Sequence, residues 1–210
     1  MKPSLSPKDQ NALSEAKKNR KVFRKKLLQM KKQRPKQLNH QFNELHEEEF
    51  ETMDCLSCAN CCKTTSPIFR DMDINRIAKH LRMKSGAFAE KYLKLDEDND
   101  YVLQKSPCSF LNEDNTCQVY DVRPLACREY PHTNRKNVVQ IMELTIKNTQ
   151  VCPAVARIVK QIVNAPWLYK ADYQSLLNTL NIVSRTKLNM IITTNKKEKI
   201  NNDAIPIWSK

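Results

Sequence analysis

The segment Cys55-Leu-Ser-Cys58-Ala-Asn-Cys61-Cys62 places four thiols within eight residues. The other four cysteines, Cys108, Cys117, Cys127 and Cys152, follow before position 153, and both flanks of the chain lack Cys. Thiolates two residues apart on a tight turn can share one metal ion or one iron–sulfur cluster, because each chelate closes without stretching the backbone. A disulfide scaffold is the weaker reading. Adjacent Cys61 and Cys62 bridge each other only under heavy strain, so each would need a distant partner.

Cys55, Cys58 and one of Cys61 and Cys62 form a compact tripod of ligands. A ferredoxin-like cluster adds a Cys followed by Pro, which Cys152-Pro153 supplies, and Cys127 is an equally good fourth ligand. Adjacent residues rarely ligate one ion, so the remaining member of the Cys61–Cys62 pair can serve a second site with Cys108 and Cys117. The strongest candidates are Cys55, Cys58, Cys62 and Cys127. Zinc is the alternative to iron, but the second Cys segment has no Cys-x2-Cys knuckle, and the Cys run with the Cys-Pro dipeptide favours an Fe–S cluster.

Arg123 and Arg128 flank Cys127, and guanidinium donors there would stabilise a negatively charged thiolate cluster. The competing role for Arg123 is to pair with Asp121, Glu129 or a local carbonyl and shape the turn. Tyr120 and Tyr130 are expected to pack beside the site rather than to react. His132 is expected to neighbour the site or face solvent, and His40, His46 and His80 are expected at the surface.

Composition removes several classes of function. The chain has a single glycine, Gly86, whereas dinucleotide-binding fingerprints and P-loops need several for tight turns and close approach to phosphate. Turns must use Asn, Asp and Pro instead, as in residues 96–100 and 112–115. The radical S-adenosylmethionine signature also fails, because the first two Cys stand two residues apart rather than three. No apolar run approaches the length that spans a bilayer, and the N-terminus lacks the apolar stretch of a secretory signal. A cytoplasmic protein with no membrane contact is expected, where eight Cys favour metal over disulfides.

The net charge of +13 sits mostly in residues 1–40, which hold 13 Lys/Arg against Asp9 and Glu15. Two readings follow. Residues 1–36 could touch nucleic acid or the ribosome, or the arm could dock on the domain through Ala16, Phe23, Leu27 and Met30. Docking is favoured, because no aromatic residues interleave with the basic ones.

Hydrophobic spacing predicts a helix that Pro35 ends or kinks, then another through Leu38, Phe42 and Leu45 towards Phe50. Helices are also expected over residues 71–81, from Ser85 through Phe88, Tyr92 and Leu95, from Pro153 through Ile162, and from Tyr173 to about Met190. Strands are expected at residues 101–104 and, from its β-branched content, at 138–146. The expected architecture is mainly α, with a small irregular Cys-rich metal-binding centre and at most a short β-hairpin or sheet. Its expected parts are a basic helical arm (1–49), the Cys-cluster domain (50–165) and a C-terminal helical extension with a loose tail (166–210).

The order Cys-x2-Cys-x2-Cys-Cys at 55–62, Cys-x-Phe-Leu at 108–111, Cys-x-Val-Tyr-x2-Arg-Pro-x2-Cys-Arg-x-Tyr-Pro at 117–131 and a late Cys152 resembles the Cys-cluster family of zinc- or iron-chelating domain proteins. The resemblance covers about residues 50–165 and implies metal binding. Where that family often has Gly after the second Cys, this chain has Ala59-Asn60, and Asn tolerates the left-handed conformation. Some related chains are flagellin lysine N-methylases, which implies an alternative: a protein lysine N-methyltransferase-like enzyme using the Cys cluster.

Overall fold

Ser6 and Pro7 start the first helix by local chemistry. The Ser6 hydroxyl accepts from the Asp9 backbone N–H at 3.1 Å, and Pro7 occupies the first turn, where a missing N–H costs nothing. This computed structural model describes residues 5–165, and within them helices dominate. Helix α1 (Pro7–Lys18), α2 (Arg20–Gln33) and α3 (Pro35–Phe50) follow one another with minimal connections. Pro35 separates α2 from α3, as its spacing predicts, and the Arg34 N–H closes α2 onto the Met30 carbonyl.

The central region is made of shorter pieces: α4 (Cys55–Cys58), α5 (Asn60–Thr64), α6 (Asp71–His80), α7 (Ser85–Tyr92) and α8 (Leu125–Glu129). Strands β1 (Leu93–Leu95) and β2 (Tyr101–Leu103) pair antiparallel, with Leu93 opposite Leu103 and Leu95 opposite Tyr101. Helices α9 (Met142–Asn148) and α10 (Pro153–Asn164) follow. The last expected helix, near 173–190, and the polar tail lie outside the described residues.

Two apolar clusters organise these elements. In the first, Ala16, Phe23, Leu27, Leu38 and Phe42 from α1–α3 bury against Val138, Met142, Ile146 and the apolar face of α10. Helix α10 can do this because Val155, Ile158, Val159 and Ile162 recur at helical spacing and all are buried. The apolar stripe of the basic arm therefore docks, as expected. Several of its charges are committed to the same contact: Arg24 to Glu143 at 2.6 Å, Glu15 to Lys160 at 2.7 Å, and the Lys26 ammonium to the Val163 carbonyl at 3.0 Å. In the second cluster, Phe69, Ile77, Phe88, Leu93, Leu103 and Phe110 pack α6 and α7 against the hairpin. Phe88 and Phe110 stack with ring centroids 6.1 Å apart.

Three local expectations fail. Residues 138–148 are not a strand but a 3-10 turn (Val138–Ile141) running into α9. β-branched residues there serve burial against α2 and α3, and among the described residues no partner strand lies alongside. The helix from Ser85 stops at Tyr92, because Leu93 turns extended (φ −114°, ψ 157°) to pair with Leu103, and Leu95 leaves the helix for β1. His46 is half-buried rather than at the surface: it stacks on Phe50 at 4.4 Å and shares a 2.7 Å hydrogen bond with Thr133.

Candidate metal centre

Asp54 begins the cysteine segment. Its carboxylate accepts the Leu56 N–H at 2.9 Å and the Ser57 hydroxyl, which caps the single turn of α4. That turn closes with the Ala59 N–H donating to the Cys55 carbonyl at 2.8 Å. The chain then reverses at Ala59, which takes φ 46°, ψ 18°, and Asn60 starts α5. The left-handed position thus falls on Ala59, not on Asn60 as the sequence suggested. Ala59 is 2% exposed, so the tight turn is enclosed by protein. Asn60 is used otherwise: its amide donates to the Val151 carbonyl at 2.6 Å and lays the Cys152 segment against α5.

On the other side of α5, the Cys108 N–H donates to the Cys62 carbonyl at 2.8 Å. The loop from Cys108 to Cys117 returns on itself through an isolated bridge between Leu111 and Cys117. Asn115, at φ 71°, makes the turn and donates to the Ser57 carbonyl at 2.9 Å, tying this loop to α4. The chain continues through a 3-10 turn at Tyr120–Val122 into α8, which carries Cys127.

The α8 segment is held from α6 by a pair that sequence reasoning missed. Asp73, 2% exposed, accepts from Arg76 at 2.5 Å and from the Leu125 N–H at 3.1 Å. Arg76 in turn donates to the carbonyls of Val122 at 3.2 Å and Arg123 at 3.0 Å. Burial pushes the Asp73 carboxyl up, but the bonds from Arg76 and two backbone N–H groups outweigh it and hold the group below its usual range. The only signal in the sequence was an acid and a base three apart on one helix.

The thiols themselves are crowded and largely sheltered. Cys55 is exposed, Cys152 is buried and the other six lie between. The Sγ atoms of Cys61 and Cys62 are 4.0 Å apart. The long hydrogen bond between them makes one thiol of the pair titrate more easily than usual and the other far less easily. Burial is the main cause that raises the rest: Cys108 to about 11 and Cys127 to about 12. Cys152 likewise rises to about 12, and Cys55, Cys58 and Cys117 rise less. Neighbouring thiolates add to it. Among the described residues no three Cys, His, Asp or Glu side chains converge on one point. The donor set suits a soft or borderline metal, since sheltered thiols that repel one another as thiolates are the groups a divalent cation stabilises.

Arg123 takes the turn-shaping role considered for it. Its guanidinium donates to the Tyr120 carbonyl at 2.7 Å and lies 3.9 Å over the Tyr120 ring. Its charge also favours the thiolates of Cys117 and Cys127. Arg128 is exposed on α8, and Tyr120 is 43% exposed. Tyr130 lies inside, with its hydroxyl buried and without a hydrogen-bond partner among the described residues. Burial and the thiols of Cys152, Cys61, Cys58 and Cys55 push its pKa far up. His132 is half-buried, with Nδ1 3.8 Å from Glu129.

Among the described residues no helix is long and apolar enough to cross a membrane. No curated protein and no solved structure matches the chain, so nothing supports the expected relation to flagellin lysine N-methylases. What does match is the segment just described: residues 54–153 fit the CxxCxxCC family, whose description reads "Putative zinc- or iron-chelating domain".

Proposed function

We propose that this protein binds iron, as an Fe–S cluster, through its clustered cysteines and serves a redox or metal-handling role. The single observation that carries metal binding is the crowding of eight mostly sheltered thiols around α4, α5, α8 and the start of α10. Their thiolates are disfavoured by burial and by one another. Unliganded, most of these thiols stay protonated; a metal converts the same crowding into binding energy and releases the protons. Ligands would come from Cys55, Cys58, Cys61, Cys62, Cys108, Cys117, Cys127 and Cys152.

Iron is preferred over zinc because the Cys-x2-Cys-x2-Cys-Cys run lies in α4 and α5 and Cys152 precedes Pro153, where α10 begins. Such a cluster supplies one-electron chemistry when bound. The chain's own residues would tune it: Arg123 by its positive charge beside Cys117 and Cys127, and Tyr130 by a hydroxyl with no other partner among the described residues.

Anaerobic purification of the full chain, with metal analysis and a visible spectrum, tests this reading. A brown protein with iron and acid-labile sulfide is expected. A colourless protein with stoichiometric zinc would replace iron by zinc, and a metal-free, folded protein would sink the reading altogether.

A further inference from the structure

We propose that the outward face of helix α2 is a docking surface for the phosphate backbone of a nucleic-acid duplex. The surface is separate from the cysteine centre and does not depend on the metal-binding reading.

Docking of the arm commits only some of its charges. Residues 16–43 hold 11 Lys/Arg and no Asp or Glu. The acids that do pair near this stretch lie where it meets α9 and α10: Glu143 holds Arg24, and Glu15 and Asp9 of α1 hold Lys160 and Arg157 of α10. Lys26 is used there too, donating to the Val163 carbonyl.

Lys21, Lys25 and Lys32 are placed differently. At about 100° per residue they fall on one side of α2, opposite Phe23 and Leu27, which are buried. All three are exposed, and among the described residues none has an acidic partner. Lys17, Lys18 and Arg20, also exposed, continue the positive charge across the junction with α1.

This arrangement costs the free protein stability. Like charges at i and i+4, such as Lys21 and Lys25, repel each other. Arg20 and Lys21 stand in the first turn of α2, where the helix dipole disfavours cations and no acidic residue compensates. A polyanion laid along the face relieves both.

The surroundings select the kind of polyanion. The apolar stripe that could enter a lipid interface is buried against α10. Phe23 and Phe42, the aromatic residues of this stretch, are buried as well, so the bases of a single strand have nothing to stack on. What faces outward is a straight row of ammonium groups about 16 Å long from Lys21 to Lys32, at the helical rise per residue. A rigid row suits the regularly spaced phosphates of a duplex, which it can contact without reading the sequence.

The test is fluorescence anisotropy of a labelled duplex of about 20 base pairs, as RNA and as DNA, titrated with the full chain at several salt concentrations. Binding of at least one duplex is expected, with log K falling against log salt at a slope of about −3 to −5. Lys21→Gln/Lys25→Gln/Lys32→Gln should weaken binding on the order of a hundredfold near about 0.1 M salt and make the slope shallower by about three. Its metal content should not change. Lys79→Gln/Lys84→Gln/Lys94→Gln alters exposed residues elsewhere by the same net charge and should bind as the unaltered chain does. Equal losses in the two variants would reduce the effect to net charge and overturn the assigned face. With the unaltered chain, no duplex binding at about 50 mM salt would overturn the proposal. So would tighter binding of a single strand of the same length, or equal binding of vesicles of phosphatidylcholine and phosphatidylserine.

Discussion

The helical bundle of α1–α3, α9 and α10 and the cysteine region around α4, α5 and α8 are held together by different forces. The bundle buries Leu27, Phe42, Met142, Ile158 and Val159 completely or nearly so, each at 0% exposure. Around its rim, Arg157 joins α1 and α3 to α10 by pairing with Asp9 at 2.6 Å and Glu49 at 2.5 Å. Helices α4, α5 and α8 bury no residue of their own. Helices of four or five residues are not stable alone, and here caps, one buried turn at Ala59 and borrowed carbonyl bonds hold them. Burial folds the bundle, whereas the cysteine region, where the thiols are, is held mainly by caps and backbone hydrogen bonds.

The largest effect should come from a cut in the bundle core. Phe42→Ala removes a fully buried ring and is expected to cost about 3–5 kcal/mol, measured by urea unfolding. Metal per folded chain should not change. Loss of metal from the folded variant would show that the two regions are less separate than their packing implies.

Next comes the strut between α6 and α8. Asp73→Asn removes the charge opposite Arg76 and one of the two acceptor oxygens that take bonds from Arg76, Leu125 and Arg70, at a cost of about 2–3 kcal/mol. The Asp73 pKa is lowered on folding, so its stabilisation is full above the unfolded value, about 3.9. That stabilisation disappears as pH falls through the lower folded value. Melting curves should therefore show the gap between wild type and Asp73→Asn narrowing below about pH 4. The same variant should loosen metal held by Cys127, because α8 loses its anchor. A gap that widens in acid would contradict the assigned role.

The smallest expected effect sharpens the account of the cysteine turn. Ala59→Gly relieves a left-handed residue and should stabilise the chain by no more than about 1 kcal/mol, since glycine's extra freedom when unfolded offsets part of the gain. Differential scanning of the metal-loaded chain measures it. Destabilisation would mean that the Ala59 methyl, buried in this turn, contributes more by packing than its backbone costs.

Much of this was legible in residue order. The Cys spacings pointed to the zinc- or iron-chelating family that residues 54–153 fit, and the stripes of α2, α3, α6 and α10 announced helices with the correct buried faces. Local chemistry suffices there, because a 3.6-residue period and a Pro or Ser at a helix start act within a few residues. Val138–Ile146 misled for the same reason. Its β-branched residues are equally suited to a strand or to a buried turn, and only the presence or absence of a partner strand decides. The sequence by itself determined that eight thiols of metal-binding type are present and that a basic amphipathic arm precedes them. Only the tertiary structure decided that Asp73 and Arg76 brace the Cys127 segment, that Ala59 rather than Asn60 makes the turn, and that Asn60 holds the Cys152 segment against α5. Those outcomes depend on contacts between segments as much as 91 residues apart, such as Asn60 with Val151, where no local periodicity reaches.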